Sequence, residues 1–219
     1  MDRRLFLGSS AAFALALGSL SAVSAQAEEK ATSDTNSSQS QNNAGTSADG
    51  KVVSLPPVDR KGGRSLMQCL MARRSDHMPG SGELTEQELG GLLFSALGVT
   101  SEDGKFVVPT ALNKRKLALY AVLKDGVWQY LPEKHALQRV LMGDHRAKFD
   151  GSACILLYTA PSDEKFSAMH VGSMYQNAGL FCASAGLKNC VKYQKCRALD
   201  KDLPLPDGWE TFISQSVAK

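Results

Sequence analysis

The apolar positions of this chain fall into blocks whose spacing outlines one mixed domain. Residues 117–123 form a nearly unbroken apolar run of strand length, and Asp125-Gly126 then turns the chain. Val127-Trp128-Gln129-Tyr130 reads as a second strand and residues 136–141 as a third, which together make an antiparallel meander. Residues 152–159, with Ala-Cys-Ile-Leu-Leu-Tyr at their centre, suit a central strand buried on both faces. A short strand over 187–191 and an alternating one over 209–217 complete the β pattern. Between them lie helical stripes. Leu66, Met67, Leu70 and Met71 share one face of a helix over 65–73. Leu89, Leu92, Leu93, Ala96 and Leu97 share a face of another, with a capping box at Thr85-Glu86-Gln87-Glu88 and a stop at Gly98. Residues 168–185 give a long helix ended by Gly186. Its small residues Gly172, Ser173, Ala178, Gly179, Ala183 and Ser184 predict a close crossing with a second helix, in the core or at a subunit interface. In that helix Met174, Phe181 and Cys182 read as packing, and His170 as solvated or a local hydrogen-bond donor. The expected fold is α+β, a mostly antiparallel central sheet flanked by helices.

The first 50 residues follow a different pattern. Asp2-Arg3-Arg4-Leu5-Phe6-Leu7, the apolar run 11–20 and Ala25-Gln26-Ala27 read as a twin-arginine export signal over 1–27, with cleavage after Ala27 or after Ala25. A Sec signal that carries two arginines is the alternative. The twin-arginine pathway moves folded proteins, often with a cofactor in place, and implies a periplasmic destination. Residues 28–50 contain no large apolar side chain and read as a disordered tether. Residues 51–219 are then one domain, large enough for a proper core. No other run approaches the ~20 apolar residues of a membrane span, so stable membrane insertion is not expected.

Charge and cysteine usage narrow the chemistry. The chain carries 25 Lys+Arg and 22 Asp+Glu, a formal charge of +3. Removing Arg3, Arg4 and Asp2 with the signal leaves 23 − 21 = +2, too balanced to suggest nucleic acid. Of the five cysteines, Cys154 reads as core, while Cys190 and Cys196 could pair in an oxidising compartment. The absence of Cys-x-x-Cys argues against a zinc or thioredoxin-like site, and no metal site is expected. No Ser-His-Asp or paired-carboxylate constellation stands out, so no catalytic side chain is assigned.

Two stretches carry candidate chemistry. Arg73-Arg74-Ser75, followed by Asp76 and His77, places two guanidinium groups and a hydroxyl at a helix end, which suits an anionic group. Basic residues there also complement the helix dipole without any ligand. Val108-Pro109-Thr110-Ala111-Leu112-Asn113 is a proline-stiffened strand entrance with short polar side chains, fit for a flat, polar-edged ligand or simply a connecting loop.

These pieces, in this order, resemble the nitroreductase-like flavoproteins, in particular the compact branch related to the thiazoline/oxazoline dehydrogenases. Arg73-Arg74-Ser75 resembles the family's Arg-x-Ser phosphate motif, and the 84–98 pattern its second helix. The 108–113 stretch resembles its flavin loop, Gly126-Val127-Trp128-Gln129-Tyr130 its hairpin, and residues 172–187 its long core helix. The resemblance implies an intertwined homodimer with FMN at the interface. It places Arg73, Arg74 and Ser75 on the phosphate, Pro109, Thr110, Ala111 and Asn113 along the ring and ribityl edge, and the backbone near Cys190, Val191 and Lys192 on the far side. His77 stands where relatives often have a third Arg. Arg115 stands where many have Gln; pointing inward it would stabilise reduced flavin, or it faces solvent within the Lys114-Arg115-Lys116 run. Lys219 falls where relatives often place a basic residue near the phosphate. The segment after Cys196 is short, so a substrate-covering lid is expected to be missing.

The resulting expectation is an FMN-dependent oxidoreductase that passes electrons to or from a small organic substrate such as a nitro or quinone compound. Outside the cytoplasm, a quinol or redox protein is the expected donor. The alternative is a non-catalytic flavin- or ligand-binding module on the same scaffold.

Overall fold

The computed structural model describes residues 48–219; the expected signal and most of the expected tether lie outside them. The strands are β1 (Val52–Ser54), β2 (Ala118–Leu123), β3 (Gly126–Leu131), β4 (Ala136–Met142), β5 (Cys154–Pro161), β6 (Lys188–Lys192) and β7 (Trp209–Ala218). They form one sheet in the order β1-β4-β3-β2-β5-β7-β6, and every pairing is antiparallel. The helices are α1 (Leu66–Ala72), α2 (Glu86–Leu97) and α3 (Ser167–Ala185).

Alternation along the strands divides the core in two. Leu119 and Ala121 of β2 and Cys154, Leu156, Tyr158 and Ala160 of β5 join Leu92, Leu93 and Leu97 of α2 and Met174, Ala178 and Cys182 of α3. Tyr120, Val122, Ile155 and Leu157 face the other way and meet Leu199 and Leu203. All eight residues of β5 are buried, as its unbroken apolar run requires. The helices therefore cover one face, and the helix-free segment 193–208 covers the other. That segment, short for a lid, supplies core side chains.

Local sequence sets the helix boundaries. Thr85 and Glu88 close the capping box of α2 in both directions, and Ser65 and Gln68 do the same for α1. Gly186 ends α3 in the left-handed conformation at φ 73°. α3 does pack on α2, with a close approach at Gly91 of α2, a residue outside the small set foreseen on α3: a Cβ there would lie 2.6 Å from the Phe181 ring of α3. Only Cys69 of α1 is buried. Leu66, Met67 and Met71 are 65–71 % exposed and Leu70 44 %, so the apolar stripe of α1 is uncovered in the single chain.

The N-terminal edge extends beyond the sequence-based boundary. Arg139 of β4 binds the carboxylate of Asp49, with Nε 2.9 Å from Oδ1, and β1 pairs with β4. His135 supports this edge. Its Nε2 lies 3.0 Å from the Pro56 carbonyl, so Nδ1 accepts from Tyr130 Oη at 2.9 Å. Cys190 and Cys196 are free thiols with different partners: Cys190 Sγ lies by the Val191 carbonyl, Cys196 Sγ by that of Thr211. Among the described residues, no helix is long and apolar enough to cross a membrane.

Candidate functional site

The segment after α1 is fixed to the free side of β6. The Asp76 N–H donates to the Asn189 carbonyl at 2.7 Å, and Asn189 N–H lies 3.4 Å from Asp76 Oδ2. Arg73 caps α1, its N–H reaching the Cys69 carbonyl at 2.8 Å. Its aliphatic stem lies against Gly179 of α3, where a Cβ would stand 3.6 Å from Arg73 Cδ. Arg74 is exposed and donates to the Arg73 carbonyl at 2.8 Å. Among the described residues, no ion pair engages either guanidinium. Two adjacent positive groups without a carboxylate partner, beside the exposed Ser75 hydroxyl, form a surface that attracts anions.

Two other basic residues are already engaged. Lys192 Nζ binds Asp150 and donates to the His77 carbonyl at 3.1 Å. His77 itself is exposed. Val191 and Lys192 are held in the β6–β7 register opposite Gln215 and Ser214, and Ser214 Oγ donates to the Lys192 carbonyl at 2.9 Å. Lys219 Nζ pairs with Glu88 at 3.0 Å, and its N–H donates to the Gly82 carbonyl at 3.0 Å. Its charge is therefore spent at the N-terminus of α2.

Asp150 ties this edge together. Burial alone would raise its pKa, but the bonds from Lys192, Ser216 Oγ (2.6 Å) and the Ser152 N–H (3.0 Å) outweigh that and hold it at about 2. A folded pKa below the ordinary carboxylate value stabilises the fold above about pH 4. That stability is lost as pH falls towards 2. With the side chain 21 % exposed, screening leaves about 1–2 kcal/mol. Asp150→Asn should therefore cost about 1–2 kcal/mol at neutral pH, with the gap from wild type closing near pH 2, as urea unfolding at the two pH values would read.

The 109–116 loop is held on the opposite end of α3. Residues 111–113 make a 3₁₀ turn. Leu112, Asn113 and Arg115 have φ of 53°, 54° and 48°, left-handed values that a Leu or Arg adopts only under outside restraint. Two side chains outside the loop provide it. His170 Nε2 accepts the Ala111 N–H at 2.8 Å. Glu164 receives Lys114 at 2.6 Å and Lys116 at 2.9 Å. Pro109 is exposed and Thr110 half-buried. Arg115 is half-buried too: its Nε donates to Asn113 Oδ1 at 2.9 Å and its guanidinium lies over Gly104. It is thus engaged with its own loop and the 104 turn.

His170 is the residue the sequence reading assigned differently. It accepts a bond from 59 residues away, a pairing that no local spacing announces. Clefts of about 480 and 410 Å³ lie between residues 58–64 and the α2–α3 crossing, lined by Phe94, Ser95, Phe181 and Ser184. Neither is lined by Arg73, Arg74 or the 109–116 loop.

Comparison with known proteins gives a consistent picture. No family model matches the chain. A Methanocaldococcus jannaschii protein named as a nitroreductase is 30% identical over 161 residues, covering 62% of this chain and 80% of that one. A nitroreductase crystal structure from Ralstonia eutropha is 28% identical with a TM-score of 0.71, over 82% of this chain and 95% of that one. A Bacteroides fragilis nitroreductase with bound FMN shares the fold at 12% identity and a TM-score of 0.51, over 71% of this chain and 88% of that one. The seven-stranded antiparallel sheet with its three helices is the fold of these structures, and the identity and coverage place the chain in the nitroreductase family of oxidoreductases.

Proposed function

We propose that this protein is an FMN-dependent oxidoreductase that exchanges electrons between a donor and a small organic acceptor such as a nitro or quinone compound. The observation that carries the reading is the pair of guanidinium groups at Arg73 and Arg74 that no carboxylate among the described residues engages, set on a turn that β6 holds in place. A phosphate monoester fits that donor set, because each guanidinium offers a planar fork of N–H groups to phosphate oxygens. Bound FMN supplies the two-electron redox chemistry, and the protein contributes binding, orientation and electrostatics. Arg73, Arg74 and Ser75 would hold the phosphate. Pro109, Thr110, Ala111 and Asn113 would present backbone and short polar groups to the ring and ribityl edge, with Arg115 behind Asn113. The Val191 and Lys192 backbone would stand on the far side. His77 sits next to the phosphate turn, while Lys219 reaches it only by leaving Glu88.

The working unit in this reading is a homodimer. His170 and Gly179, which carry the loop and the arginine turn, are nine residues apart on α3. At 100° per residue they point half a turn away from each other, and they are separated by about 14 Å along the axis. One flavin is reached by both groups more readily if a second chain brings the loop to the arginine turn of the first. The uncovered stripe of Leu66, Met67, Leu70 and Met71 offers apolar surface for that association. On its motif order we assign the chain to the compact branch related to the thiazoline/oxazoline dehydrogenases. We place it in the periplasm, exported through the twin-arginine pathway, with a quinol or redox protein as donor.

The test is optical. Protein purified and incubated with FMN, then freed of unbound ligand, should keep a flavin spectrum, bleach with dithionite and recover its colour on adding a nitroaromatic or a quinone. Retained flavin that neither acceptor reoxidises would mark a binding module instead, and a colourless protein would end the flavin reading.

A further inference from the structure

We propose that His170 is the latch that sets the conformation of the 109–116 loop, and that its unprotonated Nε2 holds the backbone in the shape the flavin edge would meet. The proposal rests on the FMN reading for its functional half, and on geometry alone for the latch. Three non-glycine residues of one short stretch, Leu112, Asn113 and Arg115, sit at left-handed φ. Such residues persist only where the surroundings over-determine them. Leu112 is 81 % exposed, so packing of its own side chain does not enforce that shape. Of the restraints on the loop, the two lysine pairs with Glu164 join flexible side chains that are 39 and 55 % exposed, and such pairs contribute little. The Arg115–Asn113 bond is internal to the loop.

The bond from the Ala111 N–H to His170 Nε2 is different. It is short at 2.8 Å, it fixes the backbone at the first residue of the turn, and it ends on a half-buried side chain of a rigid helix. The Phe166 ring, 6.3 Å from the imidazole, packs beside it. Because Nε2 accepts, the proton of the neutral imidazole sits on Nδ1. Without the Nε2 lone pair the loop keeps only its exposed lysine anchors, and the strain at Leu112 and Arg115 is free to relax.

The experiment compares wild type, His170→Ala and His170→Gln. In glutamine, Oε1 lies about as far from Cα as Nε2 does in histidine, so it restores an acceptor without an imidazole. The readouts are hydrogen exchange at the Ala111 amide and the Kd for FMN. His170→Ala should speed exchange at Ala111 and weaken FMN binding, each by about fivefold to tenfold, the loss of one hydrogen bond. His170→Gln should return both close to wild type. Unchanged exchange in His170→Ala, or no recovery in His170→Gln, overturns the latch. Faster exchange with FMN affinity unmoved overturns its role at the flavin. Wild type that binds no FMN defeats the flavin reading separately, while the exchange data still decide whether His170 holds the loop.

Discussion

Replacing Arg73 and Arg74 together by alanine should strip the protein of FMN while leaving it folded. Neither guanidinium has an ion-pair partner among the described residues, so their removal leaves no buried charge uncompensated. Arg74 is exposed, and Arg73 loses only the packing of its stem on Gly179. Changes of that kind cost about 0.5–1 kcal/mol. Binding should respond far more. Charge-assisted hydrogen bonds are worth about 1.5–3 kcal/mol each, so the pair contributes about 3–6 kcal/mol, or roughly 10²–10⁴ in Kd. The double lysine variant keeps the charge and loses the fork, so it should fall between the two. Fluorescence titration with FMN, with circular dichroism as the folding control, reads both parts.

The largest effect on stability is expected at Gln215. It is fully buried on β7 and joins two other buried groups. Its Oε1 accepts from Tyr158 Oη, and its Nε2 donates to Asn189 Oδ1 at 2.8 Å. Burial drives the Tyr158 hydroxyl pKa well above its ordinary value, so this group stays protonated and needs an acceptor. Gln215→Leu has similar volume but leaves both neighbours without partners in the core. Each such group costs about 1–3 kcal/mol, giving a loss of about 2–5 kcal/mol. For a domain of this size that lowers Tm by about 5–15 °C. Asn189 also carries the two hydrogen bonds that hold Asp76 and the arginine turn. FMN affinity should therefore fall in Gln215→Leu even at temperatures where the variant is folded. Thermal unfolding and FMN titration at about 15 °C separate the two effects.

What could be read from the sequence was whatever local pattern governs. The meander from β2 to β4 follows from alternation and the Asp125-Gly126 turn. The double burial of β5 follows from its unbroken apolar run, and the start of α2 from Thr85 and Glu88. β1 was not legible, because three exposed residues have no inward face to mark them. The cover of the far face was hidden for another reason. Leu199 and Leu203 sit among turns and Pro204 and Pro206, so neither helical nor strand period announces them. The stripe on α1 was legible as apolar, but a stripe does not reveal whether its partner is the same chain. At the candidate site, residue type pointed to Arg73 and Arg74. It could not reveal that Lys192 and Lys219 are engaged by Asp150 and Glu88, or that His170 receives the loop. Those pairings join residues 42 to 131 positions apart in the chain, and only the fold brings them together.

The most direct test of the phosphate grip compares FMN with riboflavin, which has the same ring and ribityl chain and no phosphate. Titration of the wild-type protein should give a Kd for FMN at least about 100-fold below that for riboflavin, and the difference should collapse when Arg73 and Arg74 are both alanine. Equal affinity for the two flavins in wild type, or a preference that survives the double substitution, would contradict the assignment of Arg73 and Arg74 to the phosphate.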